Sequence, residues 1–103
     1  ARGKVVIDAG AVAALKDRGA SLLAAGVTEV VGAFDAGEPI DVVTAQGVSV
    51  ARGLASFGSD DLLQMMGKST AQLAQVMGEE FARPAVHRDD LVLLDDPSNS
   101  LKP

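Results

Sequence analysis

Ile40-Asp41-Val42-Val43-Thr44-Ala45-Gln46-Gly47-Val48-Ser49-Val50-Ala51-Arg52 is the stretch that decides the fold. Two short β-branched runs flank Gln46-Gly47, and a Gly-containing turn between two such runs reads as a β-hairpin. The second arm is expected to run on to Phe57, with Gly53 marking a bulge or a close backbone approach. A hairpin of two arms is marginal alone in water, so the residues on either side must supply further strands or covering helices.

Upstream, Asp35-Ala36-Gly37-Glu38-Pro39 is a turn cluster, and Thr28 to Phe34 reads as a strand centred on Val30 and Val31. Lys4-Val5-Val6-Ile7 is another β-branched strand, ending at Asp8. Asp8 is placed to cap a helix from Ala9 to Arg18 that Gly19 stops, with Ala11, Val12 and Leu15 on its core face. Between them, Ala20 to Val27 is apolar but too short between two glycines to be read as a helix. Downstream, Ser59 is expected to cap one short helix, with Asp60 and Asp61 in its first turn and Leu62, Leu63, Met65 and Met66 on its apolar face. Ser69-Thr70-Ala71-Gln72 matches a capping box for a second, with Leu73, Val76 and Met77 inward and Gly78 as its stop. Pro84 to Leu94 gives a last strand, broken at Asp89-Asp90. Strands outnumber helices and are joined mostly by hairpins, a pattern that suits a small, partly closed barrel with helices packed outside.

The chain has 103 residues, which predicts one domain. Hydrophobic residues make up 48% and charged residues 22%, a globular balance rather than that of a disordered tail or a fibre. With no Cys, a disulfide scaffold, a thiol nucleophile and Cys-containing zinc sites are excluded. A net charge of −5 opposes general polyanion binding, because affinity for phosphate backbones comes largely from Lys and Arg. No secretory signal pattern is present, and apolar stretches fall well short of the roughly 20 residues that span a bilayer. Starting Ala1-Arg2-Gly3 without Met, the chain is expected to be a segment of a longer protein; residues 95–103 are polar and unpatterned and are expected to form a mobile tail after a domain at 1–94.

Several motifs suggest chemistry and then fail. Gly67-Lys68-Ser69 imitates the end of a phosphate-binding loop, but the Gly that must begin such a loop is replaced by Leu62. A helix stop followed by a capping Ser accounts for the tripeptide. His87-Arg88-Asp89 imitates a kinase catalytic loop, yet Leu94 stands where its metal-binding Asn belongs. There the expected arrangement is Arg88 paired with Asp89 or Asp90. Acidic pairs at 60–61, 79–80, 89–90 and 95–96 are adjacent in sequence and so do not face one another across a site. Phe34, Phe57 and Phe81 are expected to be core anchors rather than base-stacking platforms. Lys16 and Arg18 would form a weak positive patch if they met Arg52 in space. No catalytic, cofactor-binding or metal-binding residue is assigned.

Three stretches taken together resemble the C-terminal PUA domain of bacterial glutamate 5-kinases. They are Gly3-Lys4-Val5-Val6-Ile7-Asp8-Ala9-Gly10-Ala11 through Arg18-Gly19-Ala20-Ser21-Leu22-Leu23 to Gly26-Val27; Gly32-Ala33-Phe34 with Gly37-Glu38, Gly47 and Ala51-Arg52-Gly53-Leu54; and Ser59-Asp60-Asp61 with Met77-Gly78 and Val86-His87-Arg88-Asp89-Asp90-Leu91. The resemblance implies a fold that is mainly β with α: a PUA-like pseudobarrel of about six strands with flanking short helices. It implies a non-catalytic accessory or regulatory module of a cytoplasmic enzyme that phosphorylates glutamate with ATP and magnesium in proline synthesis. The catalytic and proline-feedback sites of that enzyme lie in an amino-acid-kinase domain outside this sequence, so ATP and Mg2+ belong there. The implied partner is the kinase domain of the same or a neighbouring subunit, with neither DNA nor a membrane. In RNA-modifying relatives the glycine-bounded segment after the first helix lines the RNA face. The matching ligand or interaction face here is Lys16, Arg18, Gly19, Ser21, Leu22, Gly26 and Arg52. Residues 19–27 carry no Lys or Arg, which, with the acidic balance, opposes RNA binding as the alternative role.

Overall fold

The computed structural model describes residues 3–94. The first two residues and the expected tail at 95–103 lie outside the described residues. The hairpin that anchors the sequence reading is formed by β3 (Pro39–Val43) and β4 (Ser49–Leu54), paired antiparallel. Thr44 organises its turn: the amides of Gln46 and Val48 both donate to Thr44 Oγ1, each at 3.2 Å. β4 ends at Leu54 rather than running on to Phe57.

Three more strands join this pair. β1 (Gly3–Ile7) lies parallel to β3, β2 (Val27–Val31) is antiparallel to β1, and β5 (Leu91–Leu93) is antiparallel to β4. The order across the sheet is β2-β1-β3-β4-β5. An isolated antiparallel bridge between Leu22 and Val86 adds a pairing outside the named strands. The expected mixed architecture is therefore present, with five strands and this bridge among the described residues where about six strands were expected. Val86 is held in the bridge, and the break foreseen in the last strand is a 3-10 turn at Arg88–Asp90. β2 stops at Val31, and Phe34 leaves the strand to be buried beside α2 (Ser59–Met65).

Alternation fixes which face of the sheet is covered. Val5 and Ile7 of β1, Ile40 and Val42 of β3 and Val50 of β4 are buried and meet Leu15 of α1 (Ala9–Arg18), Leu62 and Met65 of α2 and Leu73 of α3 (Thr70–Val76) in one cluster. Each such fully buried large side chain contributes about 1.5–3 kcal/mol relative to leaving it in water. Phe57 and Phe81 stack with ring centroids 5.5 Å apart, and the Arg83 guanidinium lies over Phe57.

Local caps follow the sequence at α1 and α3. Asp8 Oδ1 accepts from the Ala11 amide at 2.8 Å, and Gly19 closes α1 in the left-handed region at φ 59°. Ser69 and Gln72 form the reciprocal capping box at the start of α3. α2 departs from expectation, because its N-cap is Gly58 and Ser59 is already inside the helix. The Ser59 side chain is buried and bonds the backbone of Phe34, accepting from its amide at 3.2 Å and donating to its carbonyl at 3.3 Å. Long-range satisfaction of the buried Phe34 backbone has taken the hydroxyl that a local cap would have used.

Candidate functional site

The segment after α1 is short, apolar and irregular, and is held by backbone bonds from several directions. Ala20 N donates to Ala14 O, and Leu22 N to Val86 O at 2.9 Å. Ala85 N and Gly67 N donate to the carbonyls of Leu22 and Ala24, and Asp8 N to that of Gly26. Ser21 Oγ accepts from the Arg88 amide at 2.8 Å. Residues 24–26 form a single 3-10 turn. The segment is thus fixed between α1 and residues 85–88.

Fixing it there leaves a groove of about 300 Å³ between the segment and α1. Small residues make the groove possible. A Cβ on Gly26 would sit 2.6 Å from Ala11 Cβ, so only glycine lets the segment approach the helix this closely. Ala11, Ala14, Ala20 and Ala25 line the walls, and Leu22 is fully buried beneath. The two ends differ in charge. Asp8 stands at the positive N-terminal end of α1 and Arg18 at its negative C-terminal end, each on the side that the helix dipole favours. Chemically the groove offers apolar contact between one carboxylate and one guanidinium, with the carboxylate already engaged in capping.

Of the residues singled out from sequence, Arg18, Ser21, Leu22 and Gly26 line this groove together. Gly19 ends the helix at its rim, and Lys16 is exposed on the last turn of α1. Arg52 is elsewhere. It lies on β4, where its Nε donates to Asp41 Oδ1 of β3 at 2.8 Å, and it borders a separate hollow with Leu54 and Val92. Lys16 and Arg18 therefore do not share a cavity with Arg52. Sequence reasoning did not assign Asp8, Gly10 or Leu23 to the groove. Leu23 is 49% exposed, a property that its apolar neighbours in sequence do not signal.

The expected pairing of Arg88 with a neighbouring acid is not formed among the described residues. His87 Nδ1 instead faces Asp89, accepting from its amide at 3.1 Å and lying 3.6 Å from its carboxylate. The turn brings these two together while the Arg88 backbone is committed to Ser21. Among the described residues no three His, Asp or Glu side chains converge to hold a metal. No helix among them is long and apolar enough to cross a membrane.

The sequence profile of the PUA domain family matches residues 3–77. A glutamate 5-kinase of Bifidobacterium longum is 50% identical over 93 residues, covering 90% of this chain and 25% of the relative. A glutamate 5-kinase of Frankia casuarinae is 54% identical over 92 residues, covering 89% of this chain and 25% of the relative. The chain thus spans about a quarter of the length of the curated relatives it matches. A solved PUA domain from Aeropyrum pernix K1, crystallised as a tartrate complex, superposes with a TM-score of 0.67 at 27% identity, covering 94% of this chain and 46% of that one.

Proposed function

The chain belongs to the PUA domain family, and we propose that it is the C-terminal accessory module of a glutamate 5-kinase, non-catalytic by itself. One observation carries this reading: half of the aligned residues, over nine tenths of the chain, are shared with relatives named for that activity. The module occupies residues 1–94, with 95–103 beyond it. The enzyme transfers a phosphoryl group from ATP to the side-chain carboxylate of glutamate, in the cytoplasm and with magnesium. Those groups belong to the remainder of the polypeptide. Three converging ligands are not found among the described residues of this chain, and no chemical step is assigned to it.

The module acts by contact. It docks on the kinase domain of its own or a neighbouring subunit, and it shifts the enzyme between states to the extent that the contacts differ in energy between them. The groove beside α1 weighs against an RNA role. Its walls are apolar, Arg18 is its single cation, and the net charge of the chain is −5.

Activity of the complete polypeptide tests the reading. It is expected to form ADP in the presence of glutamate and ATP, whereas residues 1–103 alone form none. A complete polypeptide inactive on glutamate, or an isolated chain that turns over ATP, overturns the assignment.

A further inference from the structure

The outward face of β3, β4 and β5 carries large apolar side chains that the fold leaves uncovered. Leu54 is 43% exposed and Val92 65% exposed, and with Pro39 and Leu94 they line a hollow of about 400 Å³. Register brings them together: Pro39 pairs with Leu54, and Arg52 pairs across β4 with both Asp41 and Val92. Continuous apolar surface of this kind, rimmed by charge, marks a contact site on a soluble domain.

The charge at the rim is half used. Arg52 bonds Asp41 through Nε alone, and its terminal nitrogens make no hydrogen bond among the described residues. A guanidinium in that state presents a planar fork suited to a carboxylate. The place where the chain enters is close by. Gly3, the first described residue of β1, pairs with Ile40, the neighbour of Pro39.

We propose that this face is the docking surface for the part of the polypeptide that precedes residue 1, an apolar surface bearing an acidic side chain for Arg52. The proposal rests on the reading of the chain as a module of a longer kinase. Residues 95–103, Asp-Asp-Pro-Ser-Asn-Ser-Leu-Lys-Pro, are too polar to cover the patch, with one leucine among nine residues. A preceding domain tethered beside Pro39 meets both requirements at high effective concentration.

The chain contains no cysteine, so the face can be read with introduced thiols. Leu54→Cys and Val92→Cys are made in both the complete polypeptide and residues 1–103, with Gln46→Cys in the β3–β4 turn as the reference. Maleimide labelling at positions 54 and 92, relative to 46, is expected to be about tenfold or more slower in the complete polypeptide, and fast in the isolated chain, because an interdomain contact must open before the thiol reacts. Equal relative rates in the two proteins overturn the proposal. So does slow labelling in the isolated chain, whether it depends on protein concentration, which makes the occupant a second copy, or disappears on truncation at residue 94, which makes it the tail. If the complete polypeptide lacks glutamate kinase activity, the functional reading fails; if it is active and its thiols label freely, only the docking face fails.

Discussion

The groove beside α1 and the open face of β3–β4–β5 are both apolar, yet they are built in opposite ways. The groove is made of small residues packed until their backbones nearly touch, and Gly26, Leu22 and Ser21 each have a partner inside the domain. The sheet face is made of large residues with nothing over them, and Arg52 at its rim is only partly bonded. The groove is closed by contacts within the domain, whereas the sheet face is the surface proposed for contact with the preceding domain. Substitutions in the groove are therefore expected to act on folding of the isolated chain, and substitutions on the sheet face on the complete polypeptide.

Leu22→Ala offers the strongest way to break that contrast. Leu22 is 1% exposed, and its truncation is expected to destabilise the isolated chain by about 2–5 kcal/mol, read as a lower urea midpoint. A midpoint within error of the parent protein would show that the groove is not part of the core. Gly26→Ala forces a methyl against Ala11 and is expected to cost about 1–3 kcal/mol, because α1 must move outward. Thermal unfolding followed by circular dichroism checks it, and an unchanged Tm would mean that the close approach is not required. Asp8→Ala removes the cap of α1 and is expected to cost about 0.5–2 kcal/mol by the same measurement. Leu54→Ser sharpens the contrast from the other side. At an exposed position away from special features it should stay within about 0.5 kcal/mol in the isolated chain, while lowering the stability of the complete polypeptide measurably more.

Parts of this design are legible in sequence because the physics behind them is local. Asp8 caps a residue three positions on, and Ser69 and Gln72 satisfy one another across a single turn. The Gln46-Gly47 hairpin likewise closes over five residues. Where the deciding partner is distant, the reading falls short. Ser59 looks like a cap but is drawn to Phe34, 25 residues away. The parallel pairing of β1 with β3 leaves no trace in either strand. Arg52 faces Asp41 across the hairpin already read from sequence, but the register shift at Val42/Val43 that sets the two directly opposite is not written in either arm. Arg18, Ser21, Leu22 and Gly26 were found together because they are contiguous around one glycine-bounded segment; Asp8 and Gly10 complete the groove only once α1 is folded against it.

A module that tunes a kinase by contact and does no chemistry itself should change regulation when it is removed and leave catalysis in place. The decisive comparison is proline inhibition of glutamate phosphorylation by the complete enzyme and by one lacking residues 1–103. The shortened enzyme is expected still to phosphorylate glutamate, with its inhibition curve displaced along the proline axis. Superimposable curves, or a folded kinase domain with no activity once the module is removed, would contradict that role.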